Sequence, residues 1–258
     1  MIQIHKPTAP IKLIQDGSKK SEAHHLDYLQ DPNDYQTGKK QFKFSPKIYG
    51  HADVRKLLMD CQHQKCCYCE KRVGQSGNIE HFRPKSRYKQ NNEKSFQYPG
   101  YYWLAYDWEN LYLSCGDCNL NKADYFPLAV VKNRAQLHKN SISLKKPLLI
   151  DPQKSDPEKH IGFIGQYPYS KSNSKQGQIT IDILKLDRED LNSSRFSHLS
   201  NMKMLCRVVQ KAKEYPDDRD LNDLALRSQE TLNYAISDKG TFLSATRSAI
   251  ADNFRFVI

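Results

Sequence analysis

No stretch of this 258-residue chain approaches the roughly 18 consecutive apolar residues that a membrane-spanning helix needs. The apolar core of an export signal is missing too: Pro7, Pro10 and several polar residues interrupt Met1 to Ile14. No membrane association is expected, and the cytoplasm is the expected compartment. The chain contains no internal repeat. Apolar residues are scarce, at 38%, with a mean hydropathy of −0.78. The surface must therefore be very polar, although 30.0 kDa suffices for one large domain or two small ones with a real core. Acidic charge is also in short supply, with 29 Asp and Glu against 40 Lys and Arg and a formal charge of +11. An excess of that size points to a polyanionic partner, nucleic acid before an anionic membrane surface.

What is present is uneven. Residues 39–94 carry fourteen Lys or Arg against five Asp or Glu, so the basic excess surrounds the cysteine-rich part of the chain. There are seven cysteines, an odd number, and four fall in two C-x-x-C pairs. In a reducing compartment this favours metal over disulfides. Cys66 with Cys69 and Cys115 with Cys118 each offer two sulfurs from a tight turn, and two such turns complete the tetrahedron of a structural Zn2+. The metal then pins the ends of a 45-residue insertion. A redox role needs one pair in a thioredoxin-like setting, which is absent. Zinc on four thiolates has net charge −2, which trims the basic excess without cancelling it. Cys67 reads as a bystander, and Cys61 and Cys206 as buried apolar residues on helices.

Three regions follow: an N-terminal wrapping segment and helix (1–63), a zinc-bound core (64–128), and a mixed, mostly helical C-terminal region (129–258). The fold class expected is α+β, mainly helical around a zinc-stapled ββα-metal core. Val54, Leu57, Leu58 and Cys61 predict a helix near 51–63. Residues 1–50 read as polar and turn-rich. Pro147–Pro152 and Gln178–Leu184 read as short strands, with a loop over Tyr167–Gln176 between them. Asp187, with Asp190 behind it, reads as a helix start. Leu191, Leu199, Met202, Leu205, Cys206 and Val209 form one apolar helical face; Leu221, Leu224, Ala225, Leu232, Ala235 and Ile236 form another. Tyr101, Tyr102, Trp103, Tyr106 and Trp108 are expected to pack rather than stack on bases.

Between the cysteine pairs run Ile79-Glu-His-Phe-Arg-Pro-Lys85 and Glu109-Asn-Leu-Tyr-Leu-Ser-Cys115, followed by Cys118-Asn-Leu-Asn-Lys122. This order resembles the HNH endonuclease superfamily: C-x-x-C, an acidic residue with His, Asn-Leu, then C-x-x-C-Asn-x-x-Lys opening a helix. Lys65–Glu70, Ile79–Lys85, Tyr102–Leu111 and Phe126–Leu128 are similar to the HNH nuclease subunit family, PtuB, of Septu and retron anti-phage defence systems. Leu148–Pro152, Thr180–Ile181 and Leu186–Arg188 extend that similarity loosely.

Phosphodiester hydrolysis needs an activated water and stabilisation of charge on the phosphate and leaving oxygens. His81 is the natural general base. Glu80 and Asn119 offer hard oxygen ligands to one Mg2+ or Mn2+. Successive strand residues face opposite ways, so a local twist or the end of the strand is expected at Glu80–His81. The resemblance assigns Asn110 a tethering role, holding the loop that aims His81. Lys122, one helical turn after Asn119, is placed to neutralise the scissile phosphate, and Arg83 and Lys85 are further phosphate contacts. Where HNH proteins often carry a third His this chain has Asn119, which makes Zn2+ a poorer choice of catalytic ion. The expected function is an endonuclease on nucleic acid, DNA before RNA. The resemblance implies a PtuA-like ATPase subunit as partner. A tRNA-cutting nuclease of a retron-type toxin, or a zinc-dependent nucleic-acid-binding module without catalysis, are the alternatives.

Overall fold

The computed structural model describes residues 1–90, 95–135 and 146–257. It is dominated by helices, with two small two-stranded antiparallel sheets. No helix among the described residues is long and apolar enough to cross a membrane.

Residues 1–50 are more helical than their polarity suggests. A π-helical turn, Leu13–Gly17, leads into α1 (Ser18–Gln30), followed by α2 (Pro32–Gln36) and α3 (Pro46–Tyr49). Both short helices begin on proline, whose fixed φ suits the first helical turn. The first seven residues run as a strap over the core. Ile4 N donates to Pro152 O at 2.9 Å, and the Met1 ammonium pairs with Glu70. The expected helix is α4 (Ala52–Cys61): Val54 and Leu58 are fully buried four residues apart, and the His51 imidazole caps Asp53 N.

Strand β1 (Asn78–His81) pairs with β2 (Leu111–Ser114) in the register Glu80↔Tyr112 and His81↔Leu111. All four residues of β2 are buried because both of its faces are covered. Leu111 and Leu113 join the cluster around α4, while Tyr112 joins the larger cluster that holds the cysteines. Helix α5 (Gly116–Lys122) follows β2 directly, completing a ββα unit.

Beyond residue 129 the chain departs from expectation in three places. Tyr167–Ser170 is not loop but strand β4, paired with β3 (Ile161–Ile164) through a turn at Gly165, φ +55°. The left-handed turn suits glycine, and a Cβ on Gly162 would meet the Tyr169 ring at 2.7 Å. Gln178–Leu184 is not a strand but part of α6 (Lys175–Leu184), capped by Ser174 Oγ on Gly177 N at 3.1 Å. Its β-branched residues suggest a strand, yet of the buried positions 177, 179, 180, 181 and 184, the set 177, 180, 181 and 184 follows the helical period. Among the described residues Pro147–Pro152 forms a single bridge, Leu128↔Pro147, and has no second strand beside it. Ile150 N is satisfied by Thr180 Oγ1 of α6 at 3.0 Å instead.

Helix α7 (Glu189–Glu214) begins two residues after Asp187, whose carbonyl accepts from Asn192 Nδ2 rather than its carboxylate capping the helix. It packs on α8 (Arg219–Ile236), capped by Asp218 on Leu221 N, and on α9 (Leu243–Ala251). The expected α7 face is inside. On α8, Leu232 and Ala235 are buried but Leu224 and Ile236 are exposed. Cys61 and Cys206 are half-buried against the core. One apolar cluster runs from Met1 to Val257 and includes all four paired cysteines, so C-terminal helices and cysteine turns share a core.

The aromatic run does pack, divided among three clusters: Tyr101 beside the cysteines, Tyr102 with Tyr28 and Phe42, and Tyr106 and Trp108 with α4. His24 lies among these rings, 5.1 Å from Phe42 and 5.2 Å from Phe44. Neither ring nitrogen has a hydrogen-bond partner among the described residues, and the nearest carboxylate, Asp27, is 3.9 Å away. Burial, with Lys20 adding repulsion, lowers its pKa to about 4. Between pH 6.5 and 4 the unfolded chain binds a proton that the folded one refuses. Stability contributed by His24 is therefore complete above pH 6.5 and declines as the pH falls toward 4, by about 2 to 3 kcal/mol. Urea midpoints measured from pH 7.5 to 4 should show that decline, and His24→Phe should flatten it.

Candidate functional site

Cys66 and Cys69 lie in the turn after α4, where Cys67 N donates to Leu113 O (2.9 Å) and Glu70 N to Cys66 O (3.1 Å). That stitching sets the first pair against the end of β2, from which Cys115 and Cys118 project. Cys115 is the N-cap of α5, its sulfur accepting from Cys118 N at 3.4 Å. The four Sγ atoms are buried within 4.8 Å of one another, with Cys69 and Cys115 at 3.7 Å. Four thiolates about 2.3 Å from a tetrahedral Zn2+ stand about 3.8 Å apart, so the cluster fits that ion. Burial pushes the Cys66 thiol well up, as expected where several thiolates need a cation. Arg188 Nη1 approaches Cys118 Sγ at 3.9 Å and places positive charge beside the sulfurs. Cys67 is buried next to the cluster but outside it.

The second group of predicted residues surrounds the end of β1. The register runs unbroken through His81, where the strand ends. Glu80 and His81 consequently leave opposite faces. The buried Glu80 carboxylate points to α5, where Lys122 Nζ lies 2.6 Å away. The same ammonium donates to His81 O at 3.0 Å. Lys122 is fully buried, so its charge is committed inward and does not face solvent where a phosphate would arrive. Burial raises the Glu80 pKa, and Lys122 opposes that shift. Half-buried Asn119, three residues before Lys122 on α5, makes no side-chain hydrogen bond with the described residues.

The His81 imidazole is held on the other face. Its Nε2 lies 2.9 Å from Ala105 O, and the Tyr49 ring meets it edge-on at 4.8 Å. A carbonyl accepts only, so Nε2 carries the proton and Nδ1 keeps a lone pair. Lys85 Nζ sits 3.4 Å from Nδ1, the arrangement that tautomer permits. Burial, then the Lys85 charge, holds the imidazole well below its usual pKa and therefore neutral at pH 7. Asn110 braces both approaches to this ring. Its Oδ1 accepts from Arg83 N (2.8 Å), and its Nδ2 donates to Arg83 O (3.0 Å) and Leu104 O (3.1 Å). Arg83 follows the strand end, and Leu104 precedes the carbonyl that anchors His81. The Arg83 guanidinium itself lies over Phe82 and Phe126 at about 5.5 Å.

Three contributors were not singled out from the sequence: Tyr49, Ala105 and Arg188. Ala105 acts through a main-chain carbonyl, which no side-chain pattern can reveal. Tyr49 and Arg188 reach the site from distant parts of the chain, and their types are common on surfaces.

No protein-family model and no solved structure matches the chain. Two characterised proteins do. Septu protein PtuA of Bacillus mycoides (strain KBAB4) is 30% identical over 156 residues, 59% of this chain and 22% of that protein. Septu protein PtuB of the same organism is 37% identical over 161 residues, 60% of this chain and 54% of PtuB. The chain thus spans about half the length of one relative and under a quarter of the other. Across the matched stretch, its sequence places it close to the Septu protein PtuB.

Proposed function

We propose that this chain is a metal-dependent endonuclease of the HNH type, acting in Septu-type anti-phage defence. The observation that carries the reading is the fixed tautomer of His81: Nε2–H on Ala105 O, and on Nδ1 of a neutral imidazole a lone pair that faces Lys85 Nζ at 3.4 Å. Such a group is unprotonated at pH 7 and can take a proton from water once Lys85 moves aside. Likeness to the Septu proteins PtuB and PtuA and the +11 charge support the biological setting and a nucleic-acid substrate.

In this reading water gives its proton to His81 Nδ1 as its oxygen attacks phosphorus, and the P–O bond to the 3′ oxygen breaks, that oxygen taking a proton from solvent as it leaves. Lys85 swings from Nδ1 to the incoming phosphate as the water takes its place. Asn110 keeps the strand end and the anchoring carbonyl in register while the ring gains charge. Glu80, through the carboxylate oxygen that Lys122 does not hold, and the unengaged Asn119 amide would hold one Mg2+ or Mn2+, a donor set of hard oxygens suited to ions that retain water and phosphate ligands. When bound, that ion supplies charge stabilisation at the phosphate and leaving oxygens. Lys122 acts as a positioning residue, tying α5 to Glu80 and to the His81 carbonyl. Arg83 contributes long-range positive charge.

DNA is the favoured substrate, and a PtuA-like ATPase is the proposed partner that restrains the activity. The test incubates the chain, with and without that ATPase, with supercoiled plasmid and total RNA in Mg2+, Mn2+ or chelator. Nicked or linear plasmid in the metal arms, and none in the chelator arm, is the expected result. Cleavage of RNA alone would move the substrate to RNA. Intact nucleic acid in every arm would leave a zinc-dependent binding module instead.

A further inference from the structure

Lys6 is a half-buried lysine whose ammonium is turned away from solvent. It donates to Trp108 O at 2.8 Å and to Leu111 O at 2.6 Å, and stands 3.8 Å over the Tyr112 ring. No carboxylate lies within ion-pair distance of it among the described residues, and burial lowers its pKa to about 8. Asp151 and Glu109 act on it only from beyond ion-pair distance, and a charge withdrawn from water without an adjacent acidic partner is an expensive way to fill space; methionine would pack there at lower cost. What lysine adds is direction, because its N–H groups fix two main-chain carbonyls.

Those carbonyls flank Asn110. The turn Trp108–Asn110 is closed locally by Asp107 Oδ1 on Glu109 N (2.9 Å). From outside, the strap grips it twice, through Lys6 and through Trp108 Nε1 donating to Pro7 O at 2.8 Å. The turn presents the Asn110 amide to Arg83 and Leu104, on either side of the His81 anchorage. Hydrogen bonds of 2.8 to 3.1 Å tolerate shifts of only a few tenths of an ångström.

We propose that Lys6 is a positioning residue for the reaction centre, clamping the turn from which Asn110 sets the place of His81. Its effect on rate rests on the nuclease reading above, whereas its effect on Asn110 does not.

The test compares full-length Lys6→Met with Ile4→Ala, which weakens the same strap without touching either carbonyl. In Lys6→Met the Arg83 amide, bonded to Asn110 Oδ1, should exchange with solvent about tenfold faster. The Cys67 amide serves as the unperturbed reference. Cleavage should fall on the order of 10- to 100-fold in kcat with KM little changed. Adding Lys6→Met to Asn110→Ala should slow that variant no further. Ile4→Ala should move stability but neither Arg83 exchange nor kcat. Wild-type Arg83 exchange in a folded Lys6→Met overturns the proposal, as does equal loss of kcat in Ile4→Ala. If the parent protein cuts nothing, the nuclease reading fails while amide exchange still decides the Lys6 clamp. Should Lys6→Met not fold, Lys6→Gln is too short to reach both carbonyls and takes its place, with the same exchange outcome expected and the same one fatal.

Discussion

His81→Ala is expected to lower phosphodiester cleavage by about 10²- to 10⁴-fold while the protein stays folded and keeps its zinc. The size is that of a lost general base. The fold should survive because His81 ends its strand and the ladder bonds of β1 are made by main chain. What the variant loses is one neutral hydrogen bond, leaving the Ala105 carbonyl unpaired, the Lys85 contact at Nδ1, and an edge contact with Tyr49. That costs about 1 to 3 kcal/mol, tolerable for a core of this extent. Circular dichroism and zinc content should match the parent, and only the cleavage assay should change. If the variant cuts as fast as the parent, the base lies elsewhere and the proposed reaction centre is wrong.

Cys115→Ser should have the largest effect on stability. Serine retains the N-cap of α5, since its hydroxyl accepts from the residue 118 amide as well as a thiol does. The change therefore removes a metal ligand without removing the cap. Structural zinc sites contribute about 10 kcal/mol or more to folding, and losing one of four ligands should sacrifice several kcal/mol of that. For a domain of this length the melting temperature should fall by about 10 to 20 °C, with bound zinc well below one equivalent by metal analysis. Cys67→Ser, buried but outside the four-sulfur cluster, is the control and should keep its zinc. A full zinc complement in Cys115→Ser would remove the metal assignment. Cleavage should fall with the metal, because α5 carries Asn119 and the Lys122 that holds Glu80.

Parts of this picture were readable before any coordinates. Two C-x-x-C pairs announce a metal cluster because ligand spacing is a local property: two residues between sulfurs make a turn wherever the chain goes next. Helix α4 and the buried face of α7 were likewise visible, as apolar residues at the helical period. Legibility failed where local preference and packing disagree. Ile179, Thr180 and Ile181 favour a strand by residue type. They became helical because Gly177, whose Cβ would meet His160 O at 2.3 Å, lets α6 press against the main chain before β3.

Lys122 marks the boundary most clearly. Its place three residues after Asn119 was evident from sequence, but not whether its ammonium would face water or protein. Helical spacing specifies a face, and only the packing of α5 across β1 decided that this face is covered and that Glu80 lies opposite. The same holds for Lys6 and Ala105. Sequence alone determined the two cysteine pairs and the order of Glu80, His81, Asn110, Asn119 and Lys122 between and after them. Tertiary structure alone decided which nitrogen of His81 keeps its lone pair, which charges are buried against each other, and which distant segments hold them there. Hydrogen bonds and ion pairs depend on distances of a few ångströms between residues that can lie more than 100 positions apart, and no local pattern encodes those distances.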